Sequence, residues 1–358
     1  LWPSSAGFLT KVRIDENMTY PLRICVWELT LACCFSCKYC GSSGGKARDG
    51  ELTTAECLDV AQQLADAQCQ RVALIGGEVF LRPDWPQITA ALTSRGIRVS
   101  VITNGFLFTP ELIAQLKEIG IESVAVSLDG LQTIHDRFRQ EGSFARASRA
   151  IDALAAGGIP VSVISTLNQL NVLQLEEFYQ FLRTKPIFAW QLQACSPMGN
   201  AARSGLPYAF DFRTVAEFIR SHLAEAPFRM GMADNLGYFA PGEGLTRGNL
   251  TRSGIFPGCQ AGLTVLGIDS VGNVRGCESM YDETFIEGNL RPKSLLEIWN
   301  DPEAVAYNRR FRPEMLTGAC ARCTYGPQCA GGCRSYNFFT HGKLYESRFC
   351  ISKEHLPE

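Results

Sequence analysis

Between about residue 21 and residue 226 the chain alternates short β-branched or apolar runs with longer segments whose apolar residues recur at helical spacing. The runs "RICVWELT", "RVALIG", "RVSVIT", "SVAVSLD", "PVSVISTLN" and "AWQLQA" read as strands. Helices are expected between them at Thr53 to Ala67, Trp85 to Arg95, Pro110 to Ile119, Phe144 to Ala156 and Val172 to Thr184. Thr53 with Glu56 three residues on, and Ser143 before "FARAS", are the caps expected at two of these helix starts. Strand and helix taking turns predicts a parallel sheet with right-handed crossovers, and six such units form an incomplete α/β barrel. "PMGNAARSGLPYAF" and "NLGYFAPGEGLTRGNLTRSGIFPG" read as loops around a helix at about Phe212 to Ala224. A domain boundary is placed near residues 240 to 258, and beyond it "LTVLGIDSVGNVRGC" reads as a hairpin turning at Ser270 to Asn273. No internal repeat or low-complexity tract is evident.

Composition narrows the class. A chain of 358 residues with 46% hydrophobic content can bury at least one large core. Its 34 Lys and Arg against 36 Asp and Glu leave no global positive field of the kind that usually accompanies nucleic-acid binding. No apolar run reaches the roughly 18 residues of a membrane span, and the first residues lack the regions of a signal peptide, so a cytoplasmic protein is expected. Fifteen cysteines are many for such a chain, and an odd number cannot all pair. They read as metal ligands plus a few buried thiols.

The cysteines fall into two groups. Cys33, Cys37 and Cys40 lie on the loop after the first strand, at the end of an α/β barrel that carries its chemistry. A [4Fe–4S] cluster takes four thiolates, so three closely spaced ones leave an iron free for a substrate or cofactor. A zinc site using Cys34, or inert thiols in a turn, are the alternatives at this point. Toward the carboxyl end, Cys259 and Cys277 precede Cys320, Cys323, Cys329, Cys333 and Cys350, and here a pair of zinc ribbons is the alternative.

The spacing C-x3-C-x2-C with Tyr39 before the last cysteine resembles the radical S-adenosylmethionine (SAM) superfamily. That resemblance implies a cluster held by Cys33, Cys37 and Cys40, whose free iron chelates SAM and whose electron yields a 5′-deoxyadenosyl radical. "LIGGEV" is similar to the family's Gly-Gly-Glu-Pro motif, with Val79 in place of proline. It implies cofactor contacts from Gly76, Gly77 and Glu78, joined by Thr103 and Asn104 of "VITNG" and by Ser127 and Asp129 of "VSLDG". "HDRFR", His135 to Arg139, also resembles the family's segment after the fourth strand.

The later cysteines resemble the seven-cysteine SPASM extension of peptide-modifying radical SAM enzymes. The family's interleaved pattern implies that Cys320, Cys323, Cys329 and Cys350 hold an outer auxiliary cluster. Cys259, Cys277 and Cys333 then hold an inner one; no fourth inner ligand is assigned, and Cys195 is a candidate. The resemblance also implies that Glu278 acts as a base on the substrate. The expected organisation is an extension at 1–20, a partial (βα)6 radical SAM barrel at 21–240, and a bridging region with a SPASM domain at 241–358.

The expected cofactors are SAM and three [4Fe–4S] clusters, one in the barrel and two auxiliary. The expected activity is oxidative modification of a ribosomally made precursor peptide. "WQLQACSPMGNA" and "NLGYFAPGEG" look similar to segments of maturases that cross-link aromatic residues as cyclophanes. Sulfatase maturation, peptide epimerisation and small-molecule dehydrogenation compete within the enzyme class, and an iron-sulfur electron carrier stands outside it. Because the barrel begins almost at once, either a separate peptide-recognition protein or direct leader binding is expected, with a reductant such as flavodoxin or ferredoxin and neither nucleic acid nor membrane as partners.

Overall fold

The computed structural model describes residues 20–239, 242–247 and 256–352. The expected extension lies almost wholly outside the described residues, and most of the expected boundary at 240–258 does too. Six strands form where the runs predict them: β1 Ile24–Thr30, β2 Arg71–Gly76, β3 Arg98–Thr103, β4 Ser123–Ser127, β5 Val161–Leu167 and β6 Ala189–Ala194. A seventh, β7 Arg229–Met232, was not expected; its Gly231 and exposed Arg229 break the β-branched pattern. β8 Val265–Ile268 and β9 Asn273–Arg275 form the expected hairpin, and β10 Gly288–Asn289 follows. Asp269 turns the hairpin by accepting from the backbone N–H groups of Val271 at 3.1 Å and Asn273 at 2.9 Å.

All ten strands belong to one open sheet in the order β10-β9-β8-β1-β2-β3-β4-β5-β6-β7. β1 to β7 run parallel to their neighbours, as a partial barrel requires. β8 is parallel to β1, matching Ile24 to Val265 and Trp27 to Ile268. The hairpin before Cys277 is therefore built onto the barrel's first strand.

The helices up to residue 222 are α1 Thr54–Asp66, α2 Trp85–Thr93, α3 Pro110–Ile119, α4 Gln132–Phe138, α5 Ser143–Ala156, α6 Leu175–Leu182, α7 Asn200–Ser204 and α8 Phe212–His222. Thr53 and Glu56 close the expected capping box on α1. Ser143 departs from expectation, being the first residue of α5 rather than its cap. Asp136 of α4 does the capping, accepting from the N–H groups of Gly142 and Phe144 and from the Ser143 hydroxyl. α7 lies inside a segment read as loop.

Strand alternation sorts the side chains. Cys25, Trp27 and Leu29 of β1 pack into the core with Leu74, Val99 and Val101. On the opposite face Val26, Ile75, Ile102, Ser127, Thr166 and Gln193 line the barrel's interior. Glu28 shares that inner face and is fully buried. It pairs with Arg48 and accepts from the Ser270 N–H at 3.2 Å and the Tyr281 hydroxyl at 2.9 Å. Burial raises its pKa and Arg48 opposes the rise.

Replacing Glu28 by Ala strands the Arg48 guanidinium and two further donors, and is expected to cost about 3 kcal/mol, since removing one partner of a buried pair uncompensates the other. Anaerobic urea unfolding of the Glu28→Ala variant checks this; a loss below about 0.5 kcal/mol, the range of surface substitutions, would remove Glu28 from the framework.

Candidate functional site

The three-cysteine loop is closed at its neck before it presents anything. Cys33 N–H donates to Gly45 O at 2.8 Å, and Gly45 N–H donates to Leu31 O at 3.0 Å. Glu51 braces the same neck through the Leu31 N–H at 2.7 Å and the Thr30 hydroxyl at 2.8 Å. From the β6 side, Asn200 grips the loop: its N–H donates to Cys40 O at 2.8 Å and its Nδ2 to Cys37 O at 2.9 Å. From α4, Phe138 O accepts from the Lys38 N–H at 2.9 Å.

Cys33, Cys37 and Cys40 line a cavity of about 400 Å³ at the carboxyl ends of the strands, and Cys34 does not. Gly76, Gly77, Thr103, Asn104 and Ser127 line it as well. At Gly76 and Gly77 the strands approach so closely that a Cβ would lie 2.1 Å from Thr30 O and 2.1 Å from Ala32 O respectively. Only glycine leaves that wall free for a ligand.

Two of the expected cofactor residues sit behind the wall rather than on it. Glu78 is fully buried and accepts from the Thr103 hydroxyl at 2.9 Å and the Asn104 N–H at 2.9 Å, so it positions both residues. Burial raises its pKa to about 7, against the pull of these donors. Asp129 binds the Tyr39 hydroxyl, Arg139 Nε at 2.6 Å and the Thr166 N–H at 2.9 Å. Arg139 and His135 hold its carboxyl below the ordinary carboxylate range, although burial works the other way. Asp129 thereby fixes Tyr39, the residue before Cys40. His135, from the "HDRFR" segment, accepts from the Asp129 N–H at 3.2 Å and is a buried structural residue.

A second cavity, of about 320 Å³, is lined by Cys259, Cys277 and Cys333. It shares Val26, Gln193, Ser196, Asn235, Cys277 and Ser279 with the first, so the two adjoin. Cys320, Cys323, Cys329 and Cys350 form a separate group: burial raises the pKa values of Cys329 and Cys350, and nearby thiols of the group add to the rise. Cys195 lines neither cavity. It is buried against Tyr39, Phe138 and Ala201, which corrects its candidacy as a ligand: the end of β6 turns its side chain into that apolar cluster.

Glu278 lines the first cavity beside Cys277. It is buried, and neither carboxylate oxygen has a hydrogen-bond partner among the described residues. Burial, reinforced by the charge of Glu28, pushes its pKa well above the ordinary carboxylate value. The donor set, the glycine wall and this orphaned carboxylate fit a site for an open-iron cluster with a bound cofactor. Asn200, Gln193, Asp234 and Tyr281 also serve these cavities and went unnoticed in the sequence. Reading "FRMGM" as a strand would have placed Asp234 and Asn235 at a strand end, as Asn104 and Asp129 were placed.

The profile of the radical SAM superfamily matches residues 27–182, and that of the SPASM iron-sulfur cluster-binding domain matches residues 259–324. The mycofactocin maturase MftC of Mycobacterium tuberculosis is 32% identical over 88% of this chain and 80% of its own length. The chain belongs to the radical SAM superfamily. It is a radical SAM/SPASM enzyme, of a kind that includes peptide maturases, and its cofactors are SAM, a barrel [4Fe–4S] cluster and auxiliary iron-sulfur clusters. The AdoMet-dependent heme synthase of Methanosarcina barkeri is 29% identical over 93% of the chain and 97% of its own length. SuiB of Streptococcus suis, solved with S-adenosylmethionine, shares the fold with a TM-score of 0.75 at 17% identity, covering 92% of this chain and 78% of SuiB. Among the described residues, no helix is long and apolar enough to cross a membrane.

In this radical SAM enzyme, Gly77→Ala must move the backbone of Leu31 or Ala32 away from the cavity wall. SAM affinity is expected to fall about tenfold or more, equivalent to about 1.4 kcal/mol. Anaerobic equilibrium dialysis with labelled SAM measures it, with circular dichroism to confirm folding; unchanged affinity in a folded variant would detach the Gly76–Gly77 wall from cofactor binding.

Proposed function

We propose that the chain is a peptide maturase that oxidatively joins side chains of a ribosomally synthesised precursor, in the cyclophane manner. The observation that carries the proposal is the adjoining pair of cavities, one with three closely spaced cysteines and the other with three more, with the unpartnered Glu278 beside the shared Cys277. MftC, by name a maturase, and SuiB, solved also with its precursor peptide SuiA, support this reading. When bound, the barrel cluster and SAM supply a 5′-deoxyadenosyl radical, and the auxiliary clusters supply an electron acceptor.

The chain's own residues do the rest. Cys33, Cys37 and Cys40 hold the barrel cluster, while Gly76, Gly77, Thr103, Asn104 and Ser127 shape the SAM site, with Glu78 and Asp129 behind them. Joining two side chains removes two hydrogens. One would leave as an atom to the 5′-deoxyadenosyl radical, giving 5′-deoxyadenosine; the other would leave as an electron, to the auxiliary clusters that the later cysteines would hold, and a proton. Glu278 is the group placed to take that proton, as a carboxyl on the cavity wall with no hydrogen-bond partner among the described residues. A separate recognition protein and a flavodoxin or ferredoxin are the proposed partners.

A second reading has support in the heme synthase relatives, which match more of the chain. Under it the substrate is a heme precursor, and the same residues serve.

Substituting Cys33, Cys37 and Cys40 together by Ala is expected to remove roughly one third of the iron and all SAM cleavage, leaving the auxiliary clusters intact. Iron analysis with Mössbauer spectroscopy reads the first and 5′-deoxyadenosine release the second. Stoichiometric zinc in anaerobically prepared parent protein would end the radical assignment.

Glu278→Gln is expected to uncouple the reaction: 5′-deoxyadenosine still forms, but cross-linked product falls about 100-fold, the usual scale for removing a proton acceptor. Co-expression with short peptides encoded beside the gene, followed by mass spectrometry for loss of two hydrogens, provides the assay. Parent-like yields from Glu278→Gln would remove its role, and turnover of a heme precursor without any peptide change would favour the second reading.

A further inference from the structure

A [4Fe–4S] cluster takes four ligands, and the inner auxiliary group supplies only Cys259, Cys277 and Cys333. With Cys195 turned away, the side chains on the second cavity are where a fourth protein ligand is available among the described residues. Asp234 is the one carboxylate lining that cavity among the described residues. We propose that Asp234 is the fourth protein ligand of the inner auxiliary cluster, binding its remaining iron through a carboxylate oxygen. The proposal rests on the assignment of Cys259, Cys277 and Cys333 to one cluster.

Asp234 is free to do so. Its carboxylate takes part in no hydrogen bond or ion pair among the described residues, and the residue is exposed on the cavity it lines. Several other polar groups on this wall are occupied. Asn235 is bonded to both backbone groups of Ala194, at 3.1 and 2.8 Å. Gln260 spans Gly258 O and the Thr264 hydroxyl, Gln193 donates to Thr166, and Ser335 donates to Ser279 O. The Tyr336 hydroxyl lacks a partner, yet burial drives its pKa far up and keeps it a neutral phenol.

Asp234 is also tied to a cysteine of the group. The Cys333 N–H donates to the Tyr238 hydroxyl at 2.8 Å, and that hydroxyl donates to Asp234 O at 2.9 Å. Tyr238 is buried, so this relay fixes the distance between the two backbones. Arg247 locks the turn itself, donating to the carbonyl oxygens of Ala233 at 3.2 Å, Leu236 at 2.8 Å and Gly237, while Glu243 neutralises it. A side chain with no partner of its own, on a turn held this firmly beside three cysteines, has the attributes of a ligand. Coordination gives the carboxylate the partner it lacks.

The test uses the full chain, reconstituted with iron and sulfide, with Cys33, Cys37 and Cys40 replaced by Ala so that only auxiliary clusters contribute. Protein grown on ¹³C-labelled aspartate is reduced, and pulsed EPR reads coupling of carboxyl ¹³C to a cluster. The expected result is a ¹³C coupling that Asp234→Ala abolishes. Asp234→Cys is expected to remove the coupling while keeping iron at the parent level and shifting the midpoint potential downward, as the softer thiolate donates more charge. Absence of coupling in labelled protein that carries both auxiliary clusters would overturn the proposal, as would a coupling that persists in Asp234→Ala. Failure of that protein to hold auxiliary clusters at all would instead overturn the cysteine assignment beneath it.

Discussion

The buried carboxylate of Glu28 is the tie on which both halves of the molecule depend. It sits on the inner face of the first strand, yet none of its three partners is on that strand. Arg48 comes from the segment after the three-cysteine loop, Ser270 from the hairpin turn, and Tyr281 from the stretch just beyond Cys277. A charge placed in a low-dielectric interior is tolerable only if nearby donors satisfy it, so these three segments converge on one point. The loop of the barrel site and the hairpin leading to the second cavity are therefore positioned by one charged group.

That convergence explains why the two cavities share a wall. β8 lies along β1 in register, and the chain leaves β9 for Cys277 and Glu278 on the barrel's inner side. Gly267 makes room for this return, since a Cβ there would lie 2.4 Å from the Glu278 N. In the proposed reaction, the groups that begin the oxidation and those that complete it meet across a few shared side chains. The same proximity leaves Glu278 buried, with the charge of Glu28 near enough to act on it.

The barrel was legible in the sequence because buried parallel strands are short, apolar and regularly interrupted by amphipathic helices. Cysteine spacing was equally legible, since ligand geometry constrains it directly. The seventh strand escaped notice because Arg229, Gly231 and its short length lack the usual β-branched signal, and with it went the placement of Asp234. The support roles of Glu78 and Asp129 were not legible either. A carboxylate that binds a ligand and one that holds up its neighbours use the same residue type at the same strand end, and only the direction of the hydrogen bonds separates them. Cys195 misled for the opposite reason: its place at the end of β6 was read correctly, but the side chain turns toward Tyr39 and Phe138.

The backbone crowding around the cavities has a consequence for how such a protein diversifies. At Gly76, Gly77, Gly199 and Gly267 a Cβ would lie within 2.1 to 2.4 Å of a backbone atom of another segment. No single substitution at these positions is accommodated by a side-chain rotation, so drift there is closed. Met198, Gln193 and Ser42 line the same cavity through flexible or replaceable side chains, and they can change one at a time. A lineage built on this frame would vary what it accepts through those residues while the crowded backbone beneath them stays fixed.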